Sequence, residues 1–275
     1  MSTCNHDCSS CSSKCESASL LEKPSKYSKI KNVIAVVSGK GGVGKSLTTA
    51  LMATVSQRKG YQTAILDADL TGPSIPKIFG LTQKAEGDET GILPISTNAG
   101  IKVMSVNLLL EDTSSPVVWR GPVIAGVVKQ FWTDVNWGNV DFMFVDCPPG
   151  TGDVPLTVFQ SLPIKGIIVV TSPQDLVSMI VEKAVNMAKM MNIPVLGLVE
   201  NMSYFVCDNC NTRHYLYGKG ALEQNAKKYN VNNVLSLPIM PEVASGCDDG
   251  AVEKLVLPEV EEFFDKIAKQ WTWTK

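Results

Sequence analysis

The sequence contains no apolar run long enough to cross a bilayer, and its first residues lack the apolar stretch of a secretory signal. It also lacks an excess of positive charge, because 25 Lys and Arg residues stand against 27 Asp and Glu residues. A surface that binds duplex nucleic acid needs clustered positive charge, and the lack of an excess of such charge here disfavours nucleic acid as a partner. These absences predict a cytoplasmic protein that binds neither membrane nor nucleic acid.

The chain does not lack the means to build a core, since 44% of its 275 residues are hydrophobic. Small secreted domains use disulfides because their cores are insufficient, and this chain has no such need. In a reducing compartment, clustered cysteines indicate metal ligands instead. The eight cysteines fall into an N-terminal group and a scattered second group: Cys4, Cys8, Cys11 and Cys15, then Cys147, Cys207, Cys210 and Cys247.

Residues 1–29 are rich in Ser, Cys and Lys and show no apolar periodicity. We interpret them as a flexible arm that gains order around a metal. Four cysteines within so short a segment indicate metal binding, as an iron–sulfur cluster or as zinc, and the composition does not decide between the two. The predicted ligands on this arm are Cys4, Cys8, Cys11 and Cys15.

From Asn32 onward, short apolar runs alternate with segments of helical period, which is typical of βαβ units around a parallel sheet. We therefore predict that residues 30–275 form one α/β domain with a doubly wound, mostly parallel sheet. The predicted strands are Val33–Val37, Thr63–Leu66, Ile101–Val106, Phe142–Val145, Gly166–Val170, Val195–Val199 and Asn233–Leu237. The helices predicted between them include Ser46–Arg58, Val123–Asp134 and Leu176–Met191, and residues 83–100 are predicted to be a polar loop.

The first predicted strand is followed by GKGGVGKS, which fits the phosphate-loop pattern with a strand before it and a helix after it. Glycines let main-chain N–H groups turn toward a phosphate, the helix start adds its positive end, and Lys45 adds a full charge. Ser46 offers a hydroxyl to Mg²⁺. The predicted nucleotide-binding residues are Gly39, Lys40, Gly41, Gly42, Val43, Gly44, Lys45, Ser46 and Leu47.

Carboxylates follow two further strands. Asp67 and Asp69 come at the end of the second strand, and Asp146 ends the strand FMFVD. Because phosphoryl transfer depends on positioning and charge neutralisation, these residues are candidates for holding Mg²⁺ and aligning a water. A single Asp at a strand end is often only a helix cap, but three beside a phosphate loop favour the catalytic interpretation.

Cys207 and Cys210 form a C-x-x-C pair, which supplies two of the four ligands that a closed metal centre normally needs. The pair is compatible with part of an iron–sulfur cluster, with a zinc site completed by His214 and one further ligand, or with a redox dithiol. The residues alone leave these alternatives open.

The second lysine of the loop, Lys40, resembles that of the deviant P-loop ATPases, which include nitrogenase iron protein, MinD and ParA-like proteins. The resemblance implies that ATP is sandwiched in a homodimer and that Lys40 reaches the partner's nucleotide. It also implies that Asp69 orients the attacking water, that Asp146 supports the metal, and that Asn201 reads the adenine edge. Gly150 and Thr151 correspond to the second switch.

The motifs GKGGVGKS, DADLTGPSIP, WRGP, DCPPGTGD and ENMSYFVCDNC occur in this order, and together they resemble the Mrp/ApbC-type iron–sulfur cluster carrier ATPases. The resemblance covers about residues 31–257. It implies a protein that binds and hydrolyses ATP and transfers a [4Fe–4S] cluster from donors to apoproteins. It further implies that Cys207 and Cys210 of two subunits bridge that cluster.

A second class of function is a MinD/ParA-like positioning ATPase with a structural zinc site. An apolar stripe on the C-terminal segment, comprising Val260, Phe263, Phe264, Ile267 and Trp271, is compatible with such a membrane-associated protein. The opposite face of this segment mixes acidic and basic residues, whereas anionic lipid prefers a basic face. We therefore expect the stripe to pack against the sheet.

Overall fold

A central eight-stranded sheet organises the chain in the computed structural model, which describes residues 20–110, 121–174 and 177–271. The strands that this part of the chain forms are β1 Lys29–Ser38, β2 Thr63–Asp67, β3 Gly87–Asp88, β4 Gly91–Ile92, β5 Ile95–Ser96, β6 Lys102–Met104, β7 Asn139–Asp146, β8 Ile164–Thr171, β9 Val195–Glu200, β10 Phe205–Val206, β11 Arg213–His214 and β12 Val234–Ser236. Its helices are α1 Lys45–Arg58, α2 Ile75–Ile78, α3 Gly121–Thr133, α4 Asp153–Ser161, α5 Val177–Met190, α6 Leu222–Tyr229, α7 Pro241–Asp248 and α8 Pro258–Ala268.

The strand order is β12-β9-β8-β1-β7-β2-β6-β5. All neighbours in this sheet pair in parallel except β5, which runs antiparallel to β6 at the edge. Parallel neighbours require crossover connections, which the helices provide. The predicted doubly wound, mostly parallel α/β fold is therefore confirmed.

Hydrophobic residues of β1 divide between the two faces of the sheet. Val33, Ala35 and Val37 belong to one core cluster, whereas Ile34 and Val36 belong to the other. Side chains alternate across a strand, so a strand covered on both faces has a continuous apolar run, as this one has. Apolar residues of α3, α4, α5 and α6 pack into the first cluster, and those of α1, α2 and α8 into the second.

Each predicted strand lies within or overlaps an observed strand, and the differences are local. The strand expected over Ile101–Val106 is shorter, because a 3-10 helix begins at Val106. The predicted loop 83–100 contains β5, whose two residues extend the main sheet. A strand this short leaves almost no periodic signal in the sequence.

The segment before β1 is fixed to the body of the protein. The Glu22 N–H donates to the Ser161 carbonyl at 2.8 Å, and the indole of Trp132 donates to the Glu22 carbonyl at 3.0 Å. The flexibility expected for residues 1–29 therefore does not extend to residues 20–29. Cys4, Cys8, Cys11 and Cys15 lie outside the described residues, and the metal-binding arm stays a prediction.

The C-terminal apolar stripe packs on the sheet, as expected. The apolar residues of α8 are buried, namely Val260, Phe263, Phe264 and Ile267. The ring centroid of Phe264 lies 5.3 Å from the ring centroid of Phe142 on β7. This face is thus covered by the protein's own core and is not presented to a bilayer. Within the described ranges, no helix has both the length and the apolar character that a membrane span requires.

Candidate functional site: a phosphate-loop cleft and a cysteine hairpin

The candidate site lies at the carboxyl edge of the sheet, where the parallel strands end. Five of these strands end in a polar residue: β1 in Ser38, β2 in Asp67, β7 in Asp146, β8 in Thr171 and β9 in Glu200. The sheet topology therefore gathers polar residues that are far apart in the sequence. In open parallel sheets, ligands bind in the crevice beyond this edge.

The loop between β1 and α1 forms one wall of a cleft of about 380 Å³. Gly42 and Gly44 have φ angles of 79° and 87°, in the left-handed region that glycine adopts without a steric penalty. α1 begins directly at Lys45, so its N-terminal amides face the cleft side of the loop. Predicted residues that line the cleft are Gly41, Gly42, Gly44, Lys45, Ser46, Leu47 and Asp69.

Asp146 is completely buried and accepts three polar contacts from α1. The Lys45 ammonium lies 2.8 Å from Asp146 Oδ1, and the Ser46 hydroxyl donates to Asp146 Oδ2 at 2.6 Å. Thr49 adds a third contact, donating to Oδ1 at 2.9 Å. We did not single out Thr49 from the sequence, although its position three residues after Ser46 on one helix face is a usable signal.

Lys45 is buried among carboxylates, since its ammonium lies 3.6 Å from Asp69 Oδ2 in addition to its contact with Asp146. Burial disfavours the charged amine, but the charges of Asp146, Asp69 and Asp67 outweigh it and raise the pKa of Lys45. The lysine therefore stays protonated and neutralises part of a buried acidic cluster. This is the electrostatic arrangement expected of a site that receives phosphate and a cation.

Asp67 and Asp69 differ in what their carboxylates contact. Asp67 accepts hydrogen bonds from the Ser105 hydroxyl at 2.9 Å and from the Asp69 N–H at 3.2 Å. Burial, together with the nearby charge of Asp146, raises the pKa of Asp67 well above its ordinary value. Asp69 lies at the cleft and accepts a hydrogen bond from Thr71 at 3.0 Å. Of the two, Asp69 is the one placed to meet a water in the cleft.

Lys40 and Gly150 also lie at this edge. The exposed Lys40 ammonium donates to Gln174 Oε1 of the same chain at 2.9 Å, a partner that the sequence did not indicate. Gly150 has a φ of 91°, and its N–H donates to the Ser38 carbonyl at 2.7 Å, which fixes the predicted second switch segment beside the loop.

Asn201 contacts the phosphate loop directly. Its side-chain amide donates to the Val43 carbonyl at 3.1 Å, and it is buried against Gly44. A Cβ atom on Gly44 would lie 2.2 Å from Asn201 Nδ2, so the close approach requires glycine at that position. The structure thus gives Asn201 a loop-supporting contact that sequence reasoning missed, and the expected adenine contact stays a prediction.

The chain continues from Asn201 into a small hairpin that carries Cys207 and Cys210. β10 pairs antiparallel with β11, and the Cys207 main chain closes the turn by bonding with Thr212 and Asn211. Asn211 has a φ of 54°, a conformation that asparagine tolerates well. Cys207 is partly exposed and Cys210 is fully exposed, so both sulfurs are accessible.

The hairpin also brings His214 to the cysteines. One ligand atom each of Cys207, Cys210 and His214 lies within 4.8 Å of the others. The Cys210 thiol donates to the Thr212 hydroxyl at 3.2 Å. Hydrogen bonds from the Thr212 side chain and main chain, and from Cys207, lower the pKa of Cys210 and so favour its thiolate.

Two further cysteines lie apart from this group. Cys147 is completely buried, and burial raises the pKa of its thiol, which makes it an inert core residue. Burial likewise raises the pKa of Cys247, which is partly buried on α7.

Comparison with known proteins places this architecture in a defined group. Residues 29–272 match the ParA family described as NUBPL iron-transfer P-loop NTPase. An iron-sulfur cluster carrier protein from Clostridium perfringens is 43% identical over 268 residues, which span 90% of this chain and 94% of that protein.

Solved structures agree with the sequence matches. A nucleotide-binding protein from Archaeoglobus fulgidus, solved in complex with ADP and with cobalt found by PIXE, is 44% identical and has a TM-score of 0.77. The match covers 86% of this chain and 92% of that one. The cell division ATPase MinD from Pyrococcus furiosus shares the fold at 18% identity, with a TM-score of 0.63 over 87% of this chain and 99% of its own.

Proposed function

The chain belongs to the ParA family of NUBPL-type iron-transfer P-loop NTPases, and we propose that it is a homodimeric ATPase that carries a [4Fe–4S] cluster to apoproteins. The observation that carries this proposal is the exposed Cys207/Cys210 pair on a hairpin that begins next to the nucleotide cleft. The relatives named iron-sulfur cluster carrier proteins support an iron–sulfur cluster as the cargo.

ATP would bind with its phosphates in the cleft formed by Gly39–Ser46. The glycine main chain and the start of α1 supply N–H donors, and Lys45 supplies a buried positive charge that is held ready by Asp146. Asp69, at the cleft and close to Lys45, is the residue we assign to orienting the attacking water. Positioning and charge account for most of catalysis in phosphoryl transfer, and this cleft supplies both.

Residues suited to Mg²⁺ lie together. The Ser46 hydroxyl and the Asp146 carboxylate, 2.6 Å apart, are both hard oxygen donors of the kind that Mg²⁺ prefers. These two residues would hold the ion, which supplies charge neutralisation at the phosphates. The carboxylate of Asp67 is already occupied by Ser105 and the Asp69 N–H, which favours a supporting position for it.

The cluster requires a second chain, because one Cys207/Cys210 pair provides two of the four thiolates that a cubane cluster takes. In a homodimer with its twofold axis beside the hairpin, the two copies of this pair lie together and supply all four thiolate ligands. The exposure of both cysteines suits a cluster that is transferred to another protein and is not bound permanently. Lys40, which is exposed and contacts Gln174, would then reach the nucleotide of the partner.

The proposed coupling between nucleotide and cluster runs through Asn201. Its side chain contacts Val43 and lies against Gly44, and the main chain that follows it leads into the hairpin. A nucleotide that shifts the phosphate loop on binding would move this side chain with the loop and change the support at the base of the hairpin. ATP binding and cluster geometry are thereby linked within one chain.

Anaerobic reconstitution with iron and sulfide tests the proposal, using full-length protein in which the four arm cysteines are replaced by serine. The expected product has one [4Fe–4S] cluster per dimer, with broad visible absorption, and passes it to an apoprotein acceptor. Cys207→Ala should lose this iron and still bind ATP, whereas Cys247→Ala, which alters a cysteine outside the hairpin, should keep it. Unchanged iron content in Cys207→Ala would refute the assignment.

A further inference from the structure

We propose that Cys207, Cys210 and His214 of a single chain form a three-ligand site for one divalent metal ion of the zinc type, with its fourth coordination position open to solvent. The three donor atoms already lie within 4.8 Å of one another. The site needs no second chain, so it stands independently of the cluster-carrier function proposed above.

Hairpin register explains why His214 joins the cysteines. His214 pairs directly with Phe205 across the two strands, and Cys207 follows Phe205 by two positions. Cys207 directly follows β10 and continues the pairing, since its N–H donates to the Thr212 carbonyl at 3.0 Å, and its sulfur lies on the same side of the hairpin as His214. Cys210 reaches the same side from the turn, where its thiol contacts Thr212.

The donor chemistry and the spacing suit a tetrahedral ion. Zinc-type ions bind thiolate at about 2.3 Å and imidazole at about 2.0–2.1 Å, which places two tetrahedral ligand atoms roughly 3.8 Å apart. Donors within 4.8 Å therefore need to approach by about 1 Å or less. The two thiols lose their protons to solvent on binding, while the neutral imidazole donates a ring nitrogen.

Neighbouring side chains hold these ligands in place. The His214 ring stacks on Phe205 with centroids 5.5 Å apart and planes inclined by 27°. The Thr212 hydroxyl lies 3.2 Å from Cys210 Sγ, where it can donate to a bound thiolate. Such supporting contacts orient ligands before the metal arrives.

The fourth position distinguishes this site from a structural zinc knuckle. No fourth Cys, His, Asp or Glu joins the group within the part of the chain that the structure describes. Cys210 and His214 are also exposed. Closed four-ligand sites are structural, whereas three protein ligands leave a position for water or another ligand. We infer an exchangeable ion.

A consequence rests on the proposed carrier function: an ion held by one chain occupies the sulfurs that two chains need for a shared cluster. Single-ion binding and cluster bridging would then exclude each other at the same hairpin. Zinc-type ions would compete with loading, and the protein holding one ion would remain unpaired at this interface.

Titration with Co²⁺ tests the site directly, because cobalt in a thiolate site gives intense visible and charge-transfer absorption. The reduced full-length protein with the four arm cysteines replaced by serine should bind one Co²⁺ per chain. His214→Ala should weaken binding roughly 100-fold, since even the loss of a supporting contact costs about 10–100-fold. His214→Cys should restore binding and add sulfur-to-cobalt charge transfer.

The matched control is Arg213→Ala, an adjacent exposed substitution on the same strand that should leave the titration unchanged. Half an equivalent of Co²⁺ bound by a dimer would overturn the proposal, as would equal affinity in His214→Ala or an equal loss in Arg213→Ala. None of these outcomes bears on iron–sulfur reconstitution, which separately tests the carrier function.

Discussion

The side-chain amide of Asn201 donates a hydrogen bond to the main-chain carbonyl of Val43 at 3.1 Å, joining the phosphate loop to the end of β9. The two residues are 158 positions apart in the sequence. Asn201 is buried, and the chain beyond it enters the cysteine hairpin. This residue therefore contacts the phosphate loop with its side chain, and its main chain leads toward the cysteine hairpin.

Asn201→Ala should weaken nucleotide binding, because the Val43 carbonyl loses its donor and the loop loses a support. An unsatisfied buried group costs about 1–3 kcal/mol, which corresponds to roughly tenfold or more in affinity. Calorimetric titration with ADP measures the change. Asn192→Gly, at an exposed asparagine after α5 with a φ of 55°, is the control that should leave affinity unaltered. Equal affinities for Asn201→Ala and the unaltered protein would contradict the prediction.

A comparison of Gly44→Ala with Gly42→Ala distinguishes the effect of main-chain strain from that of a steric clash with a neighbouring side chain. Both glycines have left-handed φ angles, so each substitution costs about 1–2 kcal/mol in conformation. Only at Gly44 does an added Cβ meet a neighbour, the Asn201 amide at 2.2 Å, while Gly42 has open space around it. We expect Gly44→Ala to reduce ADP affinity well beyond Gly42→Ala.

Combining Gly44→Ala with Asn201→Ala provides the internal check on that prediction. Once the amide is absent, the added methyl group has room, so the double variant should bind ADP better than the sum of the single losses implies. Strict additivity of the two losses would show that the collision is not the cause.

Much of the fold was predictable because the apolar runs are long. β1 carries the continuous pattern VIAVV, and burial on both faces makes such a run unambiguous. β5 was missed because two residues carry no period. Glu22 is held in place by hydrogen bonds with Ser161 and Trp132, and these long-range contacts leave no local pattern in the sequence.

The site was predictable in its residue types and less so in its contacts. GKGGVGKS identifies Lys45 and Ser46 by spacing, and Asp146 follows from its place at a strand end. The contact between Asn201 and Val43 depends on tertiary packing, and the position of His214 depends on hairpin register. A shift of one residue would turn His214 away from Cys207, so the sequence alone left that ligand open.

Lys45→Ala should abolish ATP hydrolysis and also lower stability, because it leaves buried Asp146 without its counter-ion. Removing one partner of a buried ion pair typically costs about 3–5 kcal/mol. Thermal unfolding and ATP turnover measure the two effects. Lys59→Ala, which breaks the exposed pair with Asp265, is the control and should cost less than about 1 kcal/mol.

Adding Asp146→Asn to Lys45→Ala tests the cause of that instability. The neutral amide removes the unpaired charge, so the double variant should regain part of the lost stability while remaining inactive. Unfolding temperatures no higher in the double variant than in Lys45→Ala would show that lost packing, and not charge, is responsible.

Glu200→Gln should stabilise the protein at neutral pH. Burial raises the pKa of Glu200, partly opposed by the hydrogen bond from Ser203. In the unfolded chain a glutamate has a pKa of about 4.3. Above this pH the folded state keeps a proton on Glu200 that the unfolded chain has released, so the free energy of unfolding falls as the pH rises through the folded-state pKa. Glutamine has the same shape and keeps an oxygen to accept the Ser203 hydroxyl, but it carries no charge to desolvate.

The stabilisation by Glu200→Gln should therefore be largest at neutral to alkaline pH and disappear near pH 4, at about 1.4 kcal/mol for each unit by which the two pKa values differ. Thermal unfolding across this pH range measures it, with Glu89→Gln at an exposed turn as the matched control. A constant difference at every pH would mean that the gain comes from packing. A loss of stability at pH 8 would mean that the Glu200 carboxylate is stabilised in the folded state, opposite to the effect of its burial.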